Sequence, residues 1–194
     1  MAASPNKKWT VEEYLSFERA SEEKHEYLAG EIYLMTGASR KHNIIGVNVT
    51  TILNIQLRGR HCEAYANDMR VRVSVKNYTY PDFTVVCGTP EFEDAEVDTL
   101  LNPTVIIEVL SPSTEQYDRS KKFQNYRTLN SLQEYVLIAQ DTPRIERYLR
   151  QENGQWLFSD TTLLEAAIEL SSIGCSLPLA EVYDKVSFDT EPNL

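Results

Sequence analysis

The sequence has no long apolar run and few cysteines. No stretch of about 18 consecutive apolar residues occurs in its 194 residues, so we expect no segment to span a membrane. The first ten residues, MAASPNKKWT, lack the apolar core of a signal peptide. Cys62, Cys87 and Cys175 have no metal-type spacing, and the apolar run around Cys87 predicts a reduced core residue. We therefore expect a cytoplasmic protein.

Positive charge is also scarce. Lys and Arg total 19 against 29 Asp and Glu, which gives a formal net charge of -10. This balance argues against non-specific binding of nucleic acid, which draws on many basic contacts to phosphates. The placement of charge weakens that objection, because basic residues gather in segment 113–127 and acidic residues in segment 91–98. A bound divalent cation would also offset carboxylates inside a site.

The composition is typical of one soluble globular domain, with 42% hydrophobic and 25% charged residues. No repeat, long linker or low-complexity tract divides the chain. We expect a single domain over residues 9–188, with loose tails at 1–8 and 189–194.

Local patterns predict helices and strands in mixed order. Thr10 begins a capping-box helix, and the dipeptides Ala29-Gly30 and Asn153-Gly154 indicate hairpins. Apolar spacing predicts a buried helix over 41–57, and a helix over 114–129 follows Ser113 as its N-cap. The intervening strand-like segments include CEAYA, MRVRVSV, DFTVVC and TVIIEVL. The fold class is therefore α/β or α+β, with a central mixed sheet flanked by helices.

Two acidic residues interrupt apolar strands. Asp82 opens DFTVVC, and Glu108 lies inside TVIIEVL. Asp82 alone fits a turn at a strand entrance as well as a ligand, and Glu108 alone fits a buried salt bridge or an edge position. On neighbouring strands, the two carboxylates together would suit Mg²⁺, a hard ion that prefers oxygen ligands.

The segment DRSKKFQNY places three further polar residues at helical spacing. Asp118, Lys122 and Tyr126 fall at i, i+4 and i+8, so they share roughly one face of a helix. An exposed ion pair with Tyr126 packed beside it would explain this spacing. In isolation that is the favoured interpretation, but beside Asp82 and Glu108 the lysine could instead stabilise negative charge near a metal-bound water.

These elements together resemble the Uma2 family, which is abundant in cyanobacteria and is similar to the PD-(D/E)xK superfamily of restriction-endonuclease-like fold. The resemblance rests on YPD, then VIIEVLSPST, then D-x-x-x-K-x-x-x-Y from Asp118 to Tyr126, with GEIYLMTGASRKH and NDMRVRV upstream. It runs from about Thr10 to Lys185. The family's fold and activity become expectations for this chain.

The resemblance implies a metal site formed by Asp82, Glu108 and the backbone carbonyl of Val109. The lysine expected two places after the second acid is missing, because position 110 is leucine. Lys122 on the next helix would take its role, since it keeps the four-residue offset from Asp118. Lys121 would point about 100° away from Lys122.

Other positions carry weaker expectations. Glu31 is either an additional acid of the site or a solvated hairpin residue, and His42 is either a site residue or a capping or surface histidine. Asp118 and Tyr126 would hold Lys122 in place. Four basic residues are candidates for contact with nucleic acid, although charges on an edge strand would explain the first two of them: Arg70, Arg72, Arg119 and Lys121.

The resemblance implies an endonuclease that hydrolyses phosphodiester bonds of nucleic acid, expected to be DNA, with Mg²⁺ or Mn²⁺ as cofactor. Nucleases of this type commonly pair to cut two strands, so a homodimer is expected. The alternatives are an inactive nuclease-fold module that binds nucleic acid or a protein partner, and a hydrolase of another phosphate ester.

Overall fold

A computed structural model describes residues 7–188. The helical segments are α1 (Val11–Ala20), α2 (Arg40–Gln56), α3 (Glu115–Tyr117), a π-helical segment (Asp118–Lys122), α4 (Phe123–Tyr126) and α5 (Leu179–Val182). The strands are β1 (His25–Leu28), β2 (Glu31–Leu34), β3 (Cys62–Ala66), β4 (Arg70–Ser74), β5 (Asn77–Thr79), β6 (Phe83–Cys87), β7 (Thr99–Leu100), β8 (Val105–Val109), β9 (Glu134–Ile138), β10 (Ile145–Arg150), β11 (Trp156–Thr161), β12 (Ala167–Leu170) and β13 (Cys175–Pro178).

The central sheet has six strands in the order β11-β10-β9-β8-β6-β3. The pair β8 and β9 is parallel and the other pairs of this sheet are antiparallel, so the sheet is mixed, as the sequence predicted. A second sheet, in the order β2-β1-β5-β4-β7, takes up the N-terminal hairpin, and β12 pairs with β13 alone. The architecture is α+β.

Two apolar layers cover the faces of the central sheet. Even-numbered positions of β8, such as Ile106, face a cluster that includes Tyr126 and Leu132. Odd-numbered positions, such as Ile107, face a cluster that includes Leu53 of α2. This burial on both faces explains why β6 and β8 are nearly continuous apolar runs.

The helical segments 115–126 pack on one of these faces and carry the predicted lysine. The segment begins after Thr114, which makes no side-chain capping bond, and ends at Tyr126. The prediction of Ser113 as N-cap is wrong, because its hydroxyl contacts the hydroxyl of Ser111 instead. The segment is also shorter than the predicted 114–129, and its middle turn is π-helical.

The two predicted hairpins are confirmed, and others were missed, among them the hairpin of β4 and β5. β1 pairs with β2 across Ala29-Gly30, and β10 pairs with β11 across Asn153-Gly154. β12 and β13 form a further hairpin against the α2 side of the core. Pro178 ends β13 and is the N-cap residue of α5.

The prediction that Cys87 is a reduced core residue is wrong. Cys62 on β3 lies directly opposite Cys87 on β6, and the two form a disulfide. Cys175 is free and buried. Because disulfides are rare in the cytosol, cysteine usage no longer supports the cytoplasmic location, which stays a prediction.

Within residues 7–188, no helix is long and apolar enough to cross a bilayer. The predicted tail 189–194 lies outside the described residues, as do residues 1–6 of the predicted tail 1–8. The two described residues of that N-terminal tail form ion pairs, Lys7 with Glu13 and Lys8 with Glu31.

Candidate active site

A cavity of about 400 Å³ opens where β6 begins and β8 ends. The antiparallel register pairs Phe83 with Ile107, so the next pair outwards is Asp82 and Glu108. Opposed residues of neighbouring strands point to the same face of a sheet. The two acids therefore meet at the cavity because the register of two apolar strands places them there. Its charged lining residues are Glu23, Lys24, Glu26, His42, Asp82, Glu108, Asp118 and Lys122.

Asp82 is anchored to the backbone of the neighbouring strand. Its Oδ2 accepts a hydrogen bond from the Val109 amide at 2.7 Å and lies 3.1 Å from Nε2 of His42. The interpretation of Asp82 as a turn residue at a strand entrance is therefore compatible with its interpretation as a metal ligand. The bond to Val109 fixes the carboxylate at the strand entrance, and the group still lines the cavity.

Glu108 is buried, with 3% of its surface exposed. Its Oε1 lies 2.9 Å from Nζ of Lys122 and accepts a hydrogen bond from the Tyr126 hydroxyl at 2.9 Å. Burial raises the pKa of Glu108 well above its ordinary value, although the charge of Lys122 opposes this rise. Glu108 thus forms the buried salt bridge that the sequence allowed, inside the same cavity as Asp82.

Lys122 contacts three carboxylates of the cavity. Besides Glu108, its Nζ lies 3.5 Å from Oε1 of Glu26 and 3.5 Å from Oδ1 of Asp118. Burial alone would lower the pKa of Lys122, but the surrounding acids, above all Glu108, raise it well above the usual value for lysine. The side chain is therefore a permanent cation, and the predicted exposed ion pair is excluded by its burial.

The cavity lining holds more carboxyl groups than basic groups. Glu26, Asp82, Glu108 and Asp118 line it together with Lys122, and its other basic residues are Lys24 and His42. Burial raises the pKa of both Glu26 and Asp118, and Oε2 of Glu26 is buried without a hydrogen-bond partner among residues 7–188. Such a surplus of oxygen ligands fits a hard divalent cation.

The described residues hold no group of three acidic, histidine or cysteine side chains arranged as a metal cage. Mg²⁺ is commonly bound by one or two carboxylates and completes its shell with water and substrate. Asp82, Glu108 and the Val109 carbonyl, which faces the ring of His42, offer a donor set of this kind.

Glu26 was missed by the sequence analysis, which chose Glu31 from the same hairpin. Glu31 lies outside the cavity, where it pairs with Lys8 at 2.7 Å and accepts a hydrogen bond from Tyr33. Glu26 is 2% exposed and accepts a bond from the Tyr80 amide at 3.4 Å. The burial of the first three residues of β1 is a feature of the structure and left no clear signal in the sequence.

His42 lies in the first turn of α2, which Ser39 caps by accepting a bond from the His42 amide. Its ring contacts Asp82, so it is not a simple capping or surface histidine. Burial would lower the pKa of His42, but the carboxylate of Asp82 raises it overall.

All three candidate arginines form ion pairs with acids. Arg70 is 2% exposed and lies 2.9 Å from Asp98, while its guanidinium also donates to the Tyr80 hydroxyl. β4 lies between β5 and β7, so the interpretation of Arg70 as an edge-strand charge is wrong. Two further pairs join residues distant in sequence: Arg72 with Glu93, and Arg119 with Glu146.

Lys121 lies elsewhere on the helical segment. It is exposed and lines a second pocket of about 530 Å³ with Tyr117 and Asn125. Ser113, Thr114 and Tyr117 line both this pocket and the acidic cavity. The two depressions therefore adjoin, and Lys121 lies beside the site.

Comparisons with known proteins identify the family and the fold. Residues 11–180 match the family model of Uma2, described as "Putative restriction endonuclease". Two uncharacterized proteins of Synechocystis sp. (strain ATCC 27184 / PCC 6803 / Kazusa) are similar. The protein slr1290 is 36% identical over 187 residues, which cover 96% of this chain and 97% of the relative. The protein sll1609 is 37% identical over 172 residues, which cover 88% and 97%.

A solved structure shares the architecture. The crystal structure of a "putative nuclease belonging to DUF820" from Anabaena variabilis ATCC 29413 matches with a TM-score of 0.75 and 20% identity, and covers 92% of this chain and 99% of that chain. At this identity the likeness shows the fold, which is restriction-endonuclease-like, as the resemblance of the sequence implied.

Proposed function

We propose that this chain, which belongs to the Uma2 family, is a Mg²⁺-dependent endonuclease that hydrolyses phosphodiester bonds of nucleic acid, with DNA as the expected substrate. The observation that carries the proposal is the surplus of buried carboxyl groups around Lys122 in the cavity. A cluster that only stabilised the fold would gain nothing from acids beyond those that Lys122 needs as partners.

Asp82, Glu108 and the carbonyl of Val109 would hold the cation. When bound, Mg²⁺ would lower the pKa of a water molecule and polarise a phosphoryl oxygen. Mn²⁺ would serve the same donors. The Val109 amide supports the site from within the chain, because it holds Oδ2 of Asp82 at 2.7 Å and so fixes the carboxylate beside the second acid.

Lys122 would stabilise the negative charge that develops on the phosphate. Its raised pKa keeps the ammonium charged, so it acts as an electrostatic group and not as a general base. Asp118 and Glu26 hold it from two further sides, and Tyr126 orients the shared oxygen of Glu108. These contacts preorganise the lysine before substrate arrives.

The substrate strand would leave the acidic cavity through the adjoining pocket. There Lys121 is an exposed cation and Asn125 a neutral donor, so a phosphate next to the scissile bond would meet them. Arg70, Arg72 and Arg119 are not proposed for this role, because each is paired with an acid. This division explains how an acidic protein could receive a polyanion at one place.

The alternative is a module without catalysis, and one observation favours it. Glu108 is already held by a cation of the protein, Lys122, at 2.9 Å. In that case the pair would be a permanent buried ion pair and nucleic acid or a protein would bind without being cut. Crystals soaked in Mn²⁺ separate the two possibilities, since density between Asp82 and Glu108 supports the enzyme and its absence supports the module.

The direct test is cleavage of supercoiled plasmid, linear duplex DNA and single-stranded RNA in Mg²⁺, Mn²⁺ or EDTA. We expect Asp82→Ala to abolish metal-dependent cleavage while its circular dichroism spectrum stays native. Asp141→Ala is the matched control, because Asp141 is an exposed acid outside the cavity. Mg²⁺-dependent cleavage that survives in Asp82→Ala would contradict the assignment.

The expected homodimer is part of this proposal, because two copies would cut both strands of a duplex. Sedimentation equilibrium with and without a short duplex measures it. A monomer that makes only single-strand nicks would contradict the dimer and leave the hydrolytic site in place.

A further inference from the structure

A third pocket, of about 860 Å³, lies at the far end of the helical segment 115–126, where the β10-β11 hairpin turns. Two arginines line it, Arg127 and Arg150, and neither forms an ion pair with an acid in residues 7–188. No aspartate or glutamate lines this pocket. In a chain of formal net charge -10, an acid-free surface with two cations is unusual.

The wall of this pocket is aromatic. Register places Trp156 opposite Arg150, and Tyr148 opposite Phe158, on one face of the hairpin. Phe123 of the helical segment packs against this face, with its ring centroid 4.4 Å from that of Tyr148 and 5.4 Å from that of Trp156. Tyr148, Trp156 and Phe123 are all partly exposed and line the pocket.

Arg150 is fixed in place without being neutralised. Its guanidinium lies 4.9 Å from the Trp156 ring and donates to the carbonyls of Arg127 and Asn130. Its Nε is buried without a partner in the described residues. Burial lowers the pKa of Arg150, with no acid to oppose the shift. The group is therefore a preorganised cation that lacks a counter-anion.

We propose that this pocket binds a single-stranded segment of nucleic acid. A base would stack on the aromatic wall, and the adjoining phosphate would lie between Arg127 and Arg150. Aromatic rings that stack bases beside arginines that meet the backbone are what single-strand binding requires. This inference rests on the proposed function, because it adds a second contact for the same substrate outside the acidic cavity and the Lys121 pocket.

Arg127 is the residue to change, because its side chain makes no hydrogen bond or ion pair within residues 7–188, whereas Arg150 ties two loops together. Arg127→Gln should leave the fold intact. Arg58→Gln is the matched control, since Arg58 is equally exposed and lines none of the three pockets.

Binding is measured in EDTA, so that no cleavage occurs, with fluorescein-labelled six-nucleotide DNA and RNA across a salt series. We expect Arg127→Gln to raise Kd by about three- to tenfold and to reduce the salt slope by about 0.7, the share of one phosphate on a single strand. Arg58→Gln should match the wild type. Equal Kd and slope for the two variants would overturn the proposal.

Trp156 provides a second readout. The chain has two tryptophans, so Trp9→Phe leaves Trp156 as the sole emitter. Stacking of a base predicts quenching of its emission that saturates with the same Kd, and an unchanged emission overturns the proposal. If quenching occurs but no nucleic acid is cleaved in Mg²⁺, the pocket stands and the nuclease assignment fails. If cleavage occurs without quenching or an effect of Arg127→Gln, the pocket assignment alone fails.

Discussion

Replacing Lys122 by methionine removes the one ammonium that three buried carboxylates share. Its Nζ lies 2.9 Å from Glu108 and 3.5 Å from Glu26 and from Asp118. At an effective dielectric constant of about 20, these contacts are worth roughly 6, 5 and 5 kcal/mol before other costs. The desolvation of four ions and the mutual repulsion of the acids offset most of that sum. The net loss for removing one partner of a buried pair is about 3–5 kcal/mol.

The loss should depend on pH. Burial raises the pKa of Glu108, Glu26 and Asp118, so the folded protein binds protons at these groups more tightly than the unfolded chain. This contribution to stability is fully present below the unfolded pKa, about 4, and is lost as pH rises through the folded values. Lys122 opposes the rise of each pKa. Without it, the pKa of each of these acids in the folded protein rises further, so Lys122→Met should destabilise the protein more at pH 8 than at pH 5.

Urea unfolding followed by circular dichroism, in EDTA at pH 5 and pH 8, measures this effect. Lys121→Met is the matched control, because Lys121 is the exposed neighbour, and it should change the free energy of unfolding by about 0.5 kcal/mol or less. The double variant Lys122→Met with Glu108→Gln should recover much of the loss, since it removes one unpaired acid. A Lys122→Met protein as stable as the wild type at pH 8 would refute the reasoning.

Two further predictions concern residues that the structure reassigns. Glu26→Gln should lower metal-dependent cleavage by about 10- to 100-fold by loosening Lys122, while Glu22→Gln, at an exposed acid that lines none of the three pockets, should cleave like the wild type; equal effects in a plasmid assay would remove Glu26 from the site. Titration of the unfolded, unreduced protein should find one thiol, and reduction of the bond between Cys62 and Cys87, 25 residues apart, should lower the free energy of unfolding by about 3 kcal/mol in urea. Three free thiols before reduction would contradict the second prediction.

The meeting of Asp82 with Glu108 could be predicted because it depends on pattern alone. Each acid stands at a definite place in an apolar strand, and the pairing of β6 with β8 brings them together at one edge of the sheet. Glu108 was conspicuous because an ionised group in such a strand is costly without a partner. The placement of Lys122 followed from its helical offset to Asp118. Their catalytic and metal-binding roles stay predictions.

Glu26, Arg70 and Cys87 could not be placed from the sequence for a common reason. Each owes its environment to a residue far along the chain: Glu26 to Lys122, Arg70 to Asp98, and Cys87 to Cys62. A short strand such as HEYL shows no clear alternation when all of its first three residues are buried. Local spacing along the sequence indicates which residues lie on the same face of a helix or strand. It does not indicate how the second sheet packs beside the cavity, because that packing depends on residues distant in sequence.

The π-helical turn aligns Lys122 with Asp118 and Tyr126 on one side of the helical segment. In a continuous α-helix, residues at i, i+4 and i+8 drift by about 40° and 80°, so Tyr126 would point well away from Asp118. The segment Asp118–Lys122 is π-helical, with about 4.4 residues per turn. The four residues from Asp118 to Lys122 therefore rotate by slightly less than a full turn, and the four residues from Lys122 to Tyr126 rotate by slightly more than one. The two deviations nearly cancel. Asp118, Lys122 and Tyr126 therefore form one row that reaches Glu108. Leu110, at the position where the superfamily pattern placed a lysine, is free to pack in the core.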